Sequence, residues 1–390
     1  MLTSAISSGG NTTIQGTLNS TPGQSFRIEL FSNSFCSTSG NGEGQTFLGA
    51  TNVSQTDGMG NGSVSLTVPT ASITGPFITS TATNIATSDT SEFSECLSTC
   101  IPMLMPMSAS FPGNVGTGTP SLTGSVNVTL PAGCNWTATS NDSFIFITSG
   151  SSGTGNGTVS YSLDPNPSTT TRRIGTITIG DKTFTVLQGP QFLDVPTDHI
   201  FYTFIGKLAA RGVTVGCGGG NYCPEQSVTR EQMAAFIIRA LGDFNPPAPQ
   251  CQRFSDVPPS NIFYAFIDEL FLSRITVGCG TTPSQTCPAN PMGQYCPGSA
   301  VTREQMAAFI IRALGMFNPP APQCQRFSDV PPSNPFYAFI DQMLLRGITV
   351  GCAPPTPPPT CPVDPMGQYC PGSFVTRGQM AVFLVRAFGL

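Results

Sequence analysis

The stretch VTREQMAAFIIRALG occupies residues 228–242, recurs letter for letter at 301–315, and returns as VTRGQMAVFLVRAFG at 375–389. In the first copy Thr229 is a good helix N-cap, and Gln232 lies three residues later, which completes a capping box. Gly242 supplies a C-terminal stop. The positions of one buried helix face, at the i, i+3, i+4, i+7 and i+8 spacing, are Met233, Phe236, Ile237, Ala240 and Leu241. Each copy therefore predicts a short amphipathic helix.

An earlier helix precedes each copy. In the first repeat its apolar face is Phe201, Phe204, Ile205 and Leu208, and Gly212 ends it. The linker FNPPAPQCQRFSDVPPSN is identical at 244–261 and 317–334, and its prolines make it stiff. We place three repeats at 191–243, 253–316 and 326–390. Because neither helix of a repeat can bury its apolar face alone, we expect an all-α three-repeat helical bundle.

The first half of the chain has a different pattern. Residues 1–98 alternate polar and apolar side chains, as in Phe26-Arg27-Ile28-Glu29-Leu30, and residues 101–189 continue in the same style. Thr176–Ile179 and Thr183–Val186 flank Gly180-Asp181-Lys182 and predict a hairpin. We expect two all-β sandwich modules, 1–98 and 101–189, and hence a multidomain chain.

Composition excludes several function classes. The net charge is −5 and only 9% of residues are charged, so a basic footprint for nucleic acid is missing. No apolar run is long enough for a transmembrane segment. Fourteen cysteines indicate an oxidising compartment outside the cytoplasm, although the first residues do not resemble a signal peptide. We therefore expect an exported protein whose sequence here is either a fragment that lacks its N-terminus or begins at a wrongly assigned start.

The arginine that follows each helix-capping threonine is placed against the positive end of the helix dipole. Arg230, Arg303 and Arg377 hold this position in the three repeats. A cation at the unfavourable helix end suggests a fixed anionic partner. Two interpretations remain open: an internal carboxylate, with Asp194, Asp256 and Asp329 as candidates, or an anionic ligand.

Residues 191–390 resemble the S-layer homology family. The resemblance is carried by Phe-x-Asp-Val-Pro at each repeat start, by the Thr-Val-Gly segment after the first helix, and by Val-Thr-Arg at the last helix. It implies attachment of an exported protein to anionic, often pyruvylated, cell-wall polysaccharide, with the arginines facing the acidic sugar. Guanidinium suits a carboxylate because it offers two parallel hydrogen bonds. The candidate glycan-binding residues are Arg230, Arg303, Arg377, Thr229, Thr302, Thr376, Asp194, Asp256 and Asp329.

Three departures from that family leave the identity of the sugar open. Gln232, Gln305 and Gln379 replace the usual glutamate, Phe201, Phe263 and Phe336 replace the usual tryptophan, and a loop at 218–223 replaces the usual Asp-Gly loop. Upstream, residues 101–189 resemble a BACON domain around Cys134-Asn135-Trp136-Thr137-Ala138. Residues 1–98 are similar to an Ig-like module of large secreted bacterial proteins.

Cysteine counts separate disulfides from metal sites. Repeats two and three each hold four cysteines, enough for a tetrahedral zinc site, but the first repeat keeps only two. A disulfide can be lost as a pair, whereas a four-cysteine metal site fails with two ligands. We therefore predict no metal and no cofactor. The predicted disulfides are Cys36–Cys96, Cys100–Cys134, Cys217–Cys223, Cys279–Cys296, Cys352–Cys370, Cys251–Cys287 and Cys324–Cys361.

Catalysis is not expected from this sequence. The chain has a single histidine, His199, in a loop before a helix, so a histidine-based catalytic site would depend on it alone. We expect Trp136 to pack in a core, because it lies in an alternating strand. The leading prediction is a non-catalytic, extracellular cell-envelope protein anchored through residues 191–390. The alternatives are a C-terminal fragment of a larger secreted enzyme or adhesin, and a purely structural repeat that binds no glycan.

Overall fold

The computed structural model describes residues 1–8, 10–113, 122–280, 283, 286–287, 292–353 and 367–390. Within them lie sixteen strands, one 3₁₀ turn (Thr70–Ser72) and six α-helices. The strands are β1 Leu2–Ser8, β2 Asn11–Asn19, β3 Phe26–Asn33, β4 Thr46–Val53, β5 Asn61–Pro69, β6 Phe77–Asn84, β7 Leu97–Ser98, β8 Met103–Met105, β9 Ser108–Phe111, β10 Leu122–Thr129, β11 Asn135–Ser140, β12 Ile145–Ser149, β13 Ser152–Thr154, β14 Gly157–Leu163, β15 Arg173–Ile179 and β16 Lys182–Gln188. The helices are α1 Tyr202–Ala210, α2 Arg230–Ala240, α3 Tyr264–Leu272, α4 Arg303–Ala313, α5 Tyr337–Leu345 and α6 Arg377–Phe388.

The chain divides into two compact units. The first comprises Met1–Ala109, Thr123–Leu163 and Gly175–Thr185, and the second comprises Ser110–Leu122, Asp164–Ile174 and Val186–Leu390. None of the described helices has the length and apolarity that a membrane crossing requires.

Four sheets account for the strands. Their orders are β1-β2-β5, β4-β3-β6-β7, β12-β14-β10-β8 and β13-β11-β15-β16-β9. Alternation along β3 buries Phe26, Ile28 and Leu30, as the period-2 pattern predicts. The hairpin predicted at 176–186 is confirmed as β15 and β16. Trp136 is buried, and its indole Nε1 donates to the carbonyl of Gly155 at 2.9 Å, so its role is in the core.

In the second unit the helices pack across repeats. Helix α2 packs against α3, α4 against α5, and α6 against α1, so the contacts run from each repeat to the next and from the third back to the first. The backbone closes the same cycle at three fully buried valines. Val228 N–H donates to Val375, Val301 to Val228, and Val375 to Val301, at 2.9–3.0 Å.

The expected all-α three-repeat bundle at 191–390 is wrong. The described chain is mostly β, and its helices are only 9 to 12 residues long, separated by long non-helical segments. Successive repeats join through isolated antiparallel bridges, Thr229 to Ala300, Thr302 to Phe374 and Ser227 to Thr376. The physical reason is that capping boxes, glycine stops, proline and disulfide loops confine each helix to about three turns. The helical periodicity of the sequence predicts the helices correctly, but it does not predict the non-helical segments and bridges between them.

Six predicted disulfides are confirmed: Cys36–Cys96, Cys100–Cys134, Cys217–Cys223, Cys251–Cys287, Cys279–Cys296 and Cys352–Cys370. The seventh, Cys324–Cys361, cannot be placed because Cys361 lies outside the described residues.

Helix α1 differs from its counterparts at Gly206, where repeats two and three have Asp268 and Asp341. A Cβ at Gly206 would lie 2.3 Å from Pro112 Cβ and 2.4 Å from Pro112 Cα. The proline therefore takes the space that an acidic side chain fills elsewhere.

We expect Gly206→Ala to destabilise the second unit by about 1–3 kcal/mol, despite the better helix propensity of alanine, because the backbone must shift. Urea unfolding followed by circular dichroism measures this cost. Gly298→Ala, where a Cβ meets open space, is the control, and an equal effect at both positions would contradict the argument.

Candidate functional site

Each arginine of the Thr-Arg pairs makes two hydrogen bonds with one tyrosine of the neighbouring repeat, one through its side chain and one through its backbone carbonyl. Arg230 Nε donates to the carbonyl of Tyr295 at 2.7 Å, and the Tyr295 hydroxyl donates back to the Arg230 carbonyl at 2.8 Å. The pair Arg303 and Tyr369 repeats this geometry. Arg377 bonds in the same way to Tyr222, which closes the cycle between the third and first repeats.

The guanidinium groups are buried among aromatic rings. Arg230 lies 4.9 Å from the ring centre of Tyr295 and 5.3 Å from that of Phe309, and the side chain is 5% exposed. Arg303 contacts Tyr369 and Phe383 at 4.8 and 5.5 Å, and Arg377 contacts Tyr222 and Phe236 at 4.8 and 5.3 Å. Burial lowers the pKa of Arg230 and Arg377. Such desolvated cation–aromatic contacts stabilise a buried guanidinium.

One donor of each guanidinium has no partner. Nη2 of Arg230, Arg303 and Arg377 is buried and makes no hydrogen bond. Leaving a charged donor of this kind unsatisfied costs stability, so three equivalent instances require an explanation. Because this atom is buried, an external acceptor reaches it only if the surrounding side chains move.

The predicted internal partner is engaged elsewhere. Asp256 accepts the backbone N–H groups of Tyr295 and Cys296 at 2.8 and 2.7 Å. Asp194 and Asp329 do the same for Tyr222 with Cys223 and for Tyr369 with Cys370. In the described part of the chain, no ion pair joins these aspartates to the three arginines. The aspartates therefore fix the backbone that presents each tyrosine carbonyl.

The threonines act as helix caps. Thr229, Thr302 and Thr376 accept from the N–H groups of Gln232, Gln305 and Gln379, and the glutamine side chains bond back to complete capping boxes. The capping boxes predicted from sequence are thus confirmed. The burial prediction fails at Leu241, which is 46% exposed because α2 ends at Ala240.

Two of the arginines open onto pockets built from all three repeats. The Arg230 pocket, of about 290 Å³, is lined by Arg230, Thr276, Val277, Gly278, Cys279, Gln305, Ala308, Phe309, Arg312 and Phe336. The Arg303 pocket, of about 480 Å³, is lined by Ile200, Phe201, Phe204, Arg303, Thr349, Val350, Gly351, Cys352, Gln379, Val382, Phe383 and Arg386. Neither lining contains a carboxylate, so both pockets are electropositive.

A second arginine in each pocket was missed by sequence reasoning. Arg312 lies in the last turn of α4 and Arg386 in the last turn of α6. Arg312 stacks 5.2 Å from Phe339, and burial lowers its pKa. The sequence does show an arginine at this position in all three copies of the helix. Because a cation in the last helical turn is favoured by the helix dipole alone, this recurrence does not by itself indicate a binding site.

The aspartate and cysteine residues also form three clusters: Asp194 with Cys217 and Cys223, Asp256 with Cys279 and Cys296, and Asp329 with Cys352 and Cys370. Within each cluster the two cysteines form a disulfide, so their sulfur atoms are not thiolate ligands.

Burial of the three tyrosines predicts an alkaline transition. Burial raises the pKa of Tyr222, Tyr295 and Tyr369, and the adjacent arginine offsets this only in part. A raised folded-state pKa leaves stability intact below the unfolded value of about 10 and removes it as pH rises further. We expect the free energy of unfolding to fall above about pH 10, with these phenols ionising only on unfolding. Absorbance titration and urea unfolding test this, and Tyr295→Phe should flatten the slope. A fully reversible titration of all tyrosines near pH 10 in the folded protein would contradict it.

Comparisons with known proteins support part of the family resemblance. Residues 191–234 match the family described as S-layer homology domain. A Thermoanaerobacter kivui protein named "Cell surface protein" is 30% identical over 127 residues, which cover 32% of this chain and only 15% of that protein. The family match does not extend over 191–390, which further corrects the predicted three-repeat bundle.

A solved structure named "Bacteroides ovatus GH5 xyloglucanase in complex with a XXXG heptasaccharide" aligns with 55% of this chain and 43% of that chain. Its identity is 12% and its TM-score is 0.21, so the likeness carries no argument.

Proposed function

Because residues 191–234 match an S-layer homology domain, we propose that this chain is a non-catalytic cell-envelope protein that attaches to an acidic cell-wall polysaccharide. The binding groups are the guanidiniums of Arg230, Arg303 and Arg377. The observation that carries the proposal is that Arg230 and Arg303 each line a pocket that holds a second arginine and no carboxylate. A carboxylate that enters such a pocket would form charge-assisted hydrogen bonds with its guanidiniums.

The pockets favour an anionic sugar over a neutral one. Each contains two arginines and no carboxylate, although the chain as a whole carries a net charge of −5. Their volumes of about 290 and 480 Å³ are those of small-ligand pockets, which fits a sugar unit with its acidic substituent rather than a long polymer segment. Because the Thr-Arg motif resembles that of the S-layer homology family, we extend the proposal to a pyruvylated sugar as the acidic unit.

The purely structural alternative is less consistent with the site. In a repeat that uses arginine only for packing, the guanidinium donors should be satisfied within the protein. Here Nε is satisfied by a tyrosine carbonyl, whereas Nη2 is not.

The absence of catalysis is part of the proposal. The only histidine of the sequence, His199, accepts the backbone N–H of Phe201 through Nδ1 at 3.1 Å, which is a helix-entry role. The β-rich regions, with their BACON-like and Ig-like sequence patterns, would serve as spacer or display modules.

Co-sedimentation of the full chain with bacterial wall sacculi tests the proposal. Sacculi are compared before and after their polysaccharide has been stripped. We expect the chain to pellet only with polysaccharide-bearing sacculi, and less at about 1 M salt, where the Debye length falls to about 3 Å. Equal pelleting with stripped sacculi, or none with either, would overturn the proposal.

A further inference from the structure

We infer that the disulfides Cys217–Cys223, Cys279–Cys296 and Cys352–Cys370 are positioning elements of the arginine sites, and that ligand binding requires their oxidised state. This inference rests on the proposed function. The three bonds are called the loop disulfides below.

Two of the loop disulfides connect a pocket wall to the residue that holds the arginine. Cys279 lines the Arg230 pocket, and its partner Cys296 directly follows Tyr295, whose carbonyl accepts from Arg230 Nε. Cys352 lines the Arg303 pocket, and Cys370 directly follows Tyr369 in the same way. One covalent bond therefore sets the distance between the wall and the guanidinium.

Hydrogen bonds also hold the wall segments: Gly278 N–H donates to Thr276 Oγ1 at 3.2 Å, and Ala353 and Gln368 exchange two backbone hydrogen bonds at 3.1 and 2.7 Å. Cys279 N–H donates to the carbonyl of Gln294 at 2.8 Å, and Cys352 N–H donates to that of Gln368 at the same distance. Thr276 and Thr349 anchor the walls in the core, each 2% exposed, but Val277 and Val350, next to them, are 51% and 52% exposed, so little packing restrains these two side chains. Segments with few buried contacts open locally at low free-energy cost. The disulfide therefore acts beside these hydrogen bonds, as a covalent restraint on the wall.

The backbone at the second cysteine is also strained. Cys223, Cys296 and Cys370 have φ values of 59°, 58° and 59°, in the left-handed region that side chains other than glycine rarely adopt. Such a conformation persists only where the surroundings over-determine it. Two restraints act here: the disulfide, and the aspartate that binds the cysteine N–H.

Reduction would release the wall by ordinary thiol–disulfide exchange. A dithiol reductant attacks one exposed sulfur, Cys279 or its equivalent, and forms a mixed disulfide. Its second thiol then displaces that sulfur, so the reductant leaves as a cyclic disulfide and two protein thiols remain. The protein gains two electrons and two protons, and the bond between wall and tyrosine segment is lost.

The second disulfide of the same repeat provides a matched control. The cysteines of Cys251–Cys287 are 36 positions apart in the sequence, whereas those of Cys279–Cys296 are 17 apart. Neither Cys251 nor Cys287 lines the Arg230 pocket. In the chain-entropy description the longer loop stabilises the fold more. A purely structural role therefore predicts that removing the control disulfide is the more damaging change. If the loop disulfide positions the arginine site, removing Cys279–Cys296 instead perturbs the Arg230 pocket more than removing Cys251–Cys287 does.

The experiment compares Cys279→Ser/Cys296→Ser with Cys251→Ser/Cys287→Ser in the full chain. Hydrogen exchange is measured first, without ligand. We expect the backbone amides at positions 279 and 296 to exchange at least about tenfold faster in the first variant only, while those of Cys352 and Cys370 stay unchanged as internal references. Unchanged exchange at positions 279 and 296 overturns the inference whether or not the chain binds polysaccharide.

Binding is then measured with polysaccharide-bearing sacculi, in an Arg303→Gln/Arg377→Gln background in which Arg230 is the remaining arginine of the three Thr-Arg pairs. We expect the loop-disulfide variant to bind about tenfold more weakly than the control variant at matched folded fraction. Equal binding by the two variants overturns the inference. If the unsubstituted chain fails to pellet, the proposed function fails instead, and the exchange measurement still decides the positioning role.

Discussion

Replacing Arg230, Arg303 and Arg377 together by glutamine is expected to abolish co-sedimentation with polysaccharide-bearing sacculi. Each substitution removes a guanidinium that the proposed function places against the acidic group. A hydrogen bond to a charged group contributes about 1.5–3 kcal/mol, which corresponds to roughly tenfold to a hundredfold in affinity at each site. Because three sites on one chain can engage one polymer, the combined loss exceeds that of a single site.

The control has the same change in net charge. Arg27→Gln/Arg274→Gln/Arg346→Gln also removes three positive charges, but from exposed positions outside both pockets. Thermal melts define conditions under which both variants are folded, since the buried arginines also contribute packing. If the control variant loses as much binding as the pocket variant, general electrostatic attraction explains the result and the pocket assignment is incorrect.

Asp268→Asn is expected to give the largest loss of stability of the substitutions considered. Arg253 Nε donates to Asp268 Oδ1 at 2.7 Å, and the two side chains are 5% and 9% exposed. Arg326 and Asp341 form the equivalent pair in the third repeat. Removing one partner of a buried pair leaves an uncompensated charge, which costs about 3–5 kcal/mol. Urea unfolding of the full chain measures this difference.

Two variants make the prediction specific. Glu269→Gln changes the net charge equally at the adjacent, partly exposed position, and we expect it to cost less than about 1 kcal/mol. Arg253→Met/Asp268→Leu should recover part of the loss, because replacing a whole buried pair by apolar side chains is often close to neutral. A cost for Asp268→Asn no larger than that for Glu269→Gln would show that the pair is not an effective buried ion pair.

Elements that depend on neighbouring residues were predicted well from sequence. The capping boxes at Thr229, Thr302 and Thr376 hold because their hydrogen bonds join residues three apart in the chain. The alternation of β3 and the hairpin of β15 and β16 are local patterns of the same kind. The disulfide pairs of the repeats followed from which cysteines are lost together.

The partners of the arginines could not be predicted in this way. Sequence reasoning identified Arg230 as a cation that needed a partner, and it offered Asp256 or a ligand. The structure instead gives Arg230 a carbonyl and a ring from Tyr295, 65 positions away, and leaves one donor free. No periodicity within one repeat encodes a contact that reaches into the next.

The sequence by itself determined where α2, α4 and α6 begin, which strands alternate, and that three positively charged helix starts recur. Only the tertiary structure decided that the repeats join through bridges at their buried valines, that Arg312 and Arg386 share pockets with Arg230 and Arg303, and that Cys279 and Cys352 form pocket walls. The physical reason is the range of the interactions. Capping and pleating are satisfied within a few residues, whereas each pocket is assembled from four segments that only the folded chain brings together.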